Sequence, residues 1–354
     1  MEAFDTTWEM IQGCMSYGFC SAHAVATAID CLYGAYLKVH YPLEYYTVAL
    51  TNYSGDMERT NKLMKELPHF GITLYPIKFG KSSAQYAMDK ENNAIYKGIE
   101  SIKFCNAIIA QELLELSKNH YKNFIELLDD IKDKTSVNSR QLKILTGLNF
   151  FSDFGNNQYL LNVIDLYDGI KITPTGAKSP KTILPPIRTC KQFKKDKLET
   201  YREYGIAENL IKKYSEKETA KQYSQVDNLG LLTELCKTIP NESMSIKDYV
   251  RFEKENLDYV TYVNPDMADD YYIVTDFKVY KNATKPVLVI RNIKTGEDTE
   301  ISIQQSKIFK QNPFGCYAIL KIQGFTWVYK RKEVNGKWVA TDTLIPVLEE
   351  YEVM

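Results

Sequence analysis

The side chains of this 354-residue chain that could do chemistry do not have the spacing of a catalytic or metal-binding site. Its seven cysteines are scattered and form no C-x-x-C pair, so we expect neither a disulfide framework nor a zinc knuckle. The adjacent carboxylates of Asp129-Asp130 and Asp269-Asp270 diverge on a helix or a strand, which makes them poor clamps for a metal ion. The sequence has no P-loop and no G-x-S-x-G motif. We therefore expect no catalytic residue and no metal site, which leaves binding residues as the candidates.

A basic run after a proline-rich stretch provides the first candidates for binding DNA. Its members are Arg188, Lys191, Lys194, Lys195 and Lys197. Segment 171–222 holds 13 Lys and Arg against 6 Asp and Glu, although the whole chain has a net charge of only -1. Such a run can follow a phosphate backbone, and each contact adds to an affinity that depends on salt. The alternative is a solvated helix face after a linker, and the sequence leaves both open.

Three aromatic residues near the carboxy terminus, Phe325, Trp327 and Tyr329, are the second set of candidates. Alternate residues of a strand share one face, so the three rings would form a platform on which DNA bases can stack. The alternative is that this face is the core of a small β-barrel.

The elements that must position these residues change in type along the chain. Helical periodicity predicts helices over 7–37, 43–52 and 56–69, with Pro42 ending the first of them. A short strand and a hairpin follow, and further short helices are predicted between 105 and 167 and from 246 to 262. Segment 171–222 is predicted as a linker and basic helices. After Pro265 the pattern has period two and predicts about five strands, which is typical of an oligonucleotide-binding (OB) barrel.

One motif resembles a known family. Residues 17–23 read Tyr-Gly-Phe-Cys-Ser-Ala-His, an alanine-rich helix follows, and residues 35–45 read Ala-Tyr-Leu-Lys-Val-His-Tyr-Pro-Leu-Glu-Tyr. The order and spacing are similar to the fingers signature of DNA polymerase III alpha subunits, the replicative polymerases of bacteria and phages. Weaker landmarks follow in family order at 71–76, 95–103, 137–147 and 252–257.

The resemblance gives the expected domains. These are a fingers-like helical domain with a β-hairpin over 1–98, a degenerate helix-hairpin-helix region over 99–170, a basic linker with helices over 171–263 and the OB-like barrel over 264–354. The fold class is multidomain α+β, with a mainly helical amino-terminal two-thirds before an all-β barrel. In the fingers, Tyr17, Ser21 and His23 would lie near the incoming nucleotide. The alternative for His23 is a core histidine on the alanine-rich helix.

Departures from the family pattern limit what the resemblance implies. The family has a lysine where this chain has Ser21, and a lysine can pair with a phosphate, whereas serine cannot. The family's hairpin glycines, which let backbone amides approach a DNA phosphate, are replaced by Phe104, Cys105 and Asn106. The family's palm, with the carboxylates that bind catalytic Mg²⁺, lies before the fingers, so we expect it to be missing here.

Two functions follow from the resemblance. The first is the DNA-binding part of a nucleotidyltransferase for template-directed DNA synthesis, inactive alone and needing a palm and its Mg²⁺ on another chain. The second is a non-catalytic DNA-binding or replisome assembly protein derived from such a polymerase. Gln225 to Leu229 is a weak match to the family's sliding-clamp peptide, so the clamp is a further candidate partner. The sequence has no long apolar stretch and no signal-like start, so we expect a cytoplasmic chain with no membrane partner.

Overall fold

The computed structural model describes residues 2–14, 21–175, 179–278, 287–303, 306–334, 337–348 and 350–354. The chain divides into two compact units. The first consists of residues 1–76 and 81–101, and the second of residues 77–80 and 102–354.

Four helices and a small sheet make up the first unit. The helices are α1 (Glu2–Cys14), α2 (Ser21–His40), α3 (Pro42–Asn52) and α4 (Met57–Glu66), and a 3-10 turn follows over Leu67–Phe70. The sheet contains β1 (Thr73–Tyr75), β2 (Ala87–Asp89) and β3 (Ala94–Tyr96). Its strand order is β1-β3-β2, with β1 and β3 parallel.

Local signals set the helix boundaries of this unit, as the sequence predicts. Pro42 stands at the start of α3, where its missing N–H costs nothing. The side chain of Asp56 caps α4 by accepting a hydrogen bond from the Arg59 amide at 3.1 Å. Gly71 ends the helical segment with φ +66°, a conformation that glycine adopts without strain.

A tyrosine hydrogen-bonded to an ion pair connects α2, α3 and α4. The hydroxyl of Tyr46, which is completely buried, donates to Glu66 at 2.6 Å, and Lys38 donates to the same carboxylate at 2.7 Å. Burial and the nearby carboxylate raise the pKa of Tyr46 to about 12. The hydrogen bond from Lys38 lowers the pKa of Glu66. The end of α2 is thereby fixed to the apolar core around Tyr46.

The second unit begins with four helices, each 9–12 residues long. They are α5 (Ala107–Leu116), α6 (Phe124–Lys134), α7 (Ser139–Gly147) and α8 (Asn157–Asp168). The side chains of Asn106, Asn123 and Asn138 cap the first three by accepting a backbone N–H one turn later. These helices agree with those predicted between 105 and 167.

The middle of the second unit differs from the predicted linker and helices. It contains two small sheets, one of β4 (Ile170–Ile172) and β5 (Lys181–Leu184), the other of β6 (Gln192–Lys194), β7 (Ser215–Glu218) and β8 (Gln222–Val226) in the order β6-β8-β7. Short helices α9 (Leu198–Glu203) and α10 (Glu208–Lys213) lie between the strands, and α11 (Asn228–Thr238) and α12 (Ile246–Leu257) follow. The basic run therefore lies on and around a strand rather than on one helix.

The carboxy-terminal region is a curled seven-stranded sheet that forms a half-barrel. Its elements are β9 (Tyr271–Lys278), β10 (Val287–Asn292), β11 (Asp298–Ile303), α13 (Ser306–Gln311), β12 (Ile319–Ile322), β13 (Thr326–Val334), β14 (Lys337–Leu348) and β15 (Tyr351–Val353). The sheet order is β13-β14-β11-β10-β9-β12-β15.

The strand pairing of this region fits an OB-type barrel. Strands β9, β10 and β11 form an antiparallel meander, and β14 pairs parallel to β11. Strand β12 pairs with both β9 and β15, and β13 pairs with β14. The segments β12–β13 and β14–β15 therefore act as two long, interrupted strands that pair with each other at both ends. The predicted fold class, a helical amino-terminal part before an OB-type all-β region, is confirmed. Helix α13 and strand β15 were not predicted.

Candidate nucleic-acid interface

The fingers-like candidates lie at the start of α2. Tyr17 lies outside the described residues, and Ser21 opens α2 but its side chain is not described. His23 is exposed on α2, so the alternative of a core histidine does not apply. The His23 carbonyl accepts a hydrogen bond from Thr27 of the same helix, and the role of His23 in nucleotide binding stays a prediction.

Apolar side chains on α2 face solvent, which is unusual for a 20-residue helix. Five of them follow one another in alternate steps of four and three residues, and each exposes at least 45% of its surface: Val25, Ile29, Leu32, Tyr36 and Val39. This spacing puts them on one stripe, the pattern by which a helix packs against a partner helix. Helix α1 exposes Phe4, Trp8 and Ile11 with the same steps. Among the residues described in 22–40, none is buried.

The turn that leads into α5, at the place of the predicted hairpin, has a glycine-like backbone without a glycine. Phe104 has φ +67° and its side chain is 53% exposed. The guanidinium of Arg140 lies 3.6 Å from the centre of the Phe104 ring. The Phe104 carbonyl accepts a hydrogen bond of 2.7 Å from Gln141, which is buried. The Phe104 ring is thus exposed, whereas its backbone is held by a buried side chain.

Arg188, the first cation of the basic run, is engaged inside the protein. Its guanidinium contacts Asp133 at 2.6 Å and Asp129 at 3.2 Å, and lies over the ring of Tyr167. The Tyr167 hydroxyl donates to Asp129, and burial raises the pKa of this tyrosine above its usual range. Arg188 is therefore a structural residue that joins α6 and α8 to the segment before β6. This arrangement argues against Arg188 as a phosphate contact.

The four lysines of the run divide in a similar way. Lys195 forms an ion pair with Glu218 at 2.7 Å and lies over the ring of Tyr223. Lys191, Lys194 and Lys197 are exposed and line one open groove beside β6, together with Pro185, Pro186 and Tyr201. No ion pair among the described residues involves these three. A neighbouring groove shares Lys194 and adds Lys221. Lys221 was not predicted as part of the basic run, because it lies 24 residues after Lys197.

The carboxy-terminal aromatics do not all lie on one face. Trp327 and Tyr329 lie on β13 and are each 59% exposed. Phe325 precedes the strand and packs against the barrel core, with its ring 5.6 Å from that of Tyr272. The expected shared face thus holds for two of the three rings. Leu344, which the sequence analysis missed, lies opposite Tyr329 on β14 and is also exposed.

The predicted clamp peptide is part of a strand–helix junction. Gln225 and Val226 end β8, and Val226 pairs with Ser215 of β7. The side chain of Asp227 caps α11 by accepting the Gly230 amide. Leu229 is exposed on the first turn of that helix. A clamp contact here stays a prediction.

The described residues lack two further kinds of site or segment. No three His, Cys, Asp or Glu side chains in this part of the chain are grouped so that they could hold a metal ion. Among the same residues, no helix has the length and apolar character needed to span a bilayer.

Comparison with known proteins supports the family resemblance. The DNA polymerase III subunit alpha of Aquifex aeolicus is 33% identical over 141 residues, which is 40% of this chain and 12% of that protein. The subunit of Campylobacter jejuni is 29% identical over 151 residues, 42% of this chain and 12% of that protein. The resemblance to DNA polymerase III alpha subunits is confirmed.

A longer match covers more of the chain. The DNA polymerase III subunit alpha of Staphylococcus epidermidis is 26% identical over 238 residues, which is 63% of this chain and 21% of that protein. The matched part of this chain thus spans between 12% and 21% of these polymerase subunits. No protein-family model matches the sequence.

Proposed function

We propose that this chain binds DNA during template-directed DNA synthesis, as the fingers, hairpin and OB part of a polymerase III alpha-like enzyme. The catalytic carboxylates and their Mg²⁺ would come from a palm on another chain. One observation carries the DNA-binding part of the proposal. Trp327 and Tyr329 present large aromatic surfaces to solvent on the β13–β14 hairpin of an OB-type barrel.

The position of these rings suits single-stranded DNA. In OB barrels, the loop between the last two long strands is one of the elements that bind oligonucleotides, and β13–β14 occupies that place. Exposed rings can stack on bases of any sequence, because every base has an aromatic face. The basic groove of Lys191, Lys194 and Lys197 would contact the phosphate backbone.

The test is the affinity of the full chain for single-stranded oligothymidine, measured by fluorescence anisotropy. Replacing Trp327 and Tyr329 by alanine should weaken binding by roughly 5- to 150-fold for each ring that stacks on a base. The variant Trp327→Phe with Tyr329→Phe keeps an aromatic ring at both positions and should bind like the wild type. If the alanine variant binds as tightly as the wild type, the barrel contact is wrong. A wild-type chain that binds no DNA would refute the proposal as a whole.

The exposed stripe of α2 supports a partner polypeptide. Its five apolar side chains, Val25, Ile29, Leu32, Tyr36 and Val39, each expose at least 45% of their surface. A monomeric soluble protein seldom leaves so much contiguous apolar surface in water unless it binds something. We propose the palm-bearing chain as the occupant, because α2 lies in the segment that resembles the polymerase fingers.

Primer extension tests this partnership. A palm-bearing chain should extend a primed template only when this chain is added, and Leu32→Glu should abolish the stimulation. Thr27→Glu is the matched control, since Thr27 lies on the opposite side of α2 and is also exposed. Extension by this chain alone would contradict a palm in trans.

The second candidate is a non-catalytic DNA-binding or replisome assembly protein derived from such a polymerase. Ser21 and Phe104 favour it, because both replace residues with which the family would contact phosphates. Tight DNA binding without any extension, even with a palm-bearing partner, is the result that would select this function.

A further inference from the structure

Phe104 combines two properties that a side chain rarely has together. It adopts a left-handed backbone conformation, φ +67°, which is uncommon for a bulky residue and is strained. It also leaves 53% of its surface in water, so burial of the ring does not compensate for the strain. A residue that is strained and exposed at once contributes little to folding, which points to a role in binding.

The surrounding residues hold this conformation from below. Gln141, which is buried, donates to the Phe104 carbonyl at 2.7 Å. The Lys103 amide donates to the Asn256 carbonyl at 3.1 Å, and the Lys103 side chain pairs with Asp258 at 2.6 Å. The backbone is thus fixed at Lys103 and Phe104, and the ring projects from a preorganised support.

Arg140 adds a planar cation to the ring. Its guanidinium carbon lies 3.6 Å from the ring centre, and Arg140 is itself exposed. Among the described residues, Arg140 forms no ion pair with a carboxylate. A stacked guanidinium and ring whose charge is not neutralised can bind a nucleotide through both of its parts, because the flat groups stack on the base and the charge attracts the phosphate.

We propose that Phe104 and Arg140 form a second contact with single-stranded DNA, in which they stack on an unpaired base. The inference rests on the proposed function, since it concerns a further contact with the same DNA. A hairpin of glycines lets its backbone amides approach a phosphate. In this chain, the Phe104 side chain occupies the space that such a phosphate would need. The hairpin of this chain would therefore bind an unpaired base rather than the phosphates of a duplex.

Phe104→Gly is the variant of choice, because glycine adopts φ +67° without strain and the hairpin should keep its shape. Urea unfolding should show that the variant is folded. Its affinity for oligothymidine should fall roughly 5- to 150-fold, the effect of losing one stacked base. Phe104→Tyr keeps the ring and should bind like the wild type.

An abasic oligonucleotide with the same phosphates separates stacking from charge. The wild type and Phe104→Gly should bind it equally, because neither can stack on a missing base. Equal binding of oligothymidine by the wild type and Phe104→Gly would overturn the inference and leave the proposed function intact. The inference would also be overturned if Phe104→Gly lost as much affinity for the abasic strand as for oligothymidine. A wild type that binds no oligothymidine overturns both.

Discussion

The basic run offers a sharp test, because the structure divides five neighbouring cations into two groups. Lys191, Lys194 and Lys197 line one groove and are exposed. Arg188 and Lys195 are held by carboxylates within the protein. The perturbation is a triple change of the three groove lysines to glutamine, compared with a double change of Arg188 and Lys195 to glutamine.

The expected size of the effect follows from the number of free cations. Each phosphate of a single strand that a cation neutralises contributes about 0.7 to the slope of log affinity against log salt. Three lysines therefore account for about 2 in that slope. When salt rises fourfold, the wild type should lose roughly 20-fold more affinity than the triple variant.

The assay is anisotropy with labelled oligothymidine over a series of salt concentrations. The double variant should keep the wild-type slope, because its cations already have partners. It should instead lose stability, by about 1–3 kcal/mol for Arg188 alone, because Asp129 and Asp133 would lose the cation that neutralises them. An unchanged slope in the triple variant would show that the groove does not contact DNA. A flatter slope in the double variant would show that the ion pairs open on binding.

Two further predictions concern stability. Glu66→Gln should cost about 0.5 kcal/mol at neutral pH, since this carboxylate is partly exposed and its pKa is lowered by Lys38. That contribution is present above the ordinary pKa of 4.5 and is lost as the pH falls through the lowered value, so the two proteins should converge in acid. Gly147→Ala should destabilise by about 1–3 kcal/mol, because its Cβ would overlap the ring of Phe252. Gly34→Ala, with no atom near its Cβ, should not destabilise.

Urea titrations at several pH values measure both stability predictions. A stability difference between Glu66→Gln and the wild type that grows in acid would refute the ion-pair argument. Equal destabilisation by Gly147→Ala and Gly34→Ala would show that contact with Phe252 is not the cause.

The helix boundaries of the first unit were predictable, because their signals are local. Pro42, the Asp56 cap and Gly71 act within one helical turn of their own positions. The sheet of β6, β7 and β8 was not predictable in this way. Phe193 of β6 pairs with Tyr223 of β8, thirty residues later, and both are buried by this pairing. A short strand whose partner is distant has no local pattern that separates it from a loop.

The same limit applies to the candidate site. Arg188 was indistinguishable in sequence from its lysine neighbours, because Asp129 and Asp133 lie more than fifty residues upstream. Cations counted along the sequence therefore overstate the charge available to DNA. The net charge of +7 over 171–222 includes Arg188, which Asp129 and Asp133 from outside this segment already neutralise.

The exposure of Trp327 and Tyr329 has a non-local cause as well. Alternation puts them on one face of β13 but does not say whether that face is inside or outside the barrel. In the described residues, β14 pairs with β11 at Val347 and Leu348, both of which are buried. Tyr329 lies opposite Leu344, beyond this paired part, where no described strand other than β13 pairs with β14. The two rings are therefore exposed because the β13–β14 hairpin extends past the point at which the barrel closes on β11.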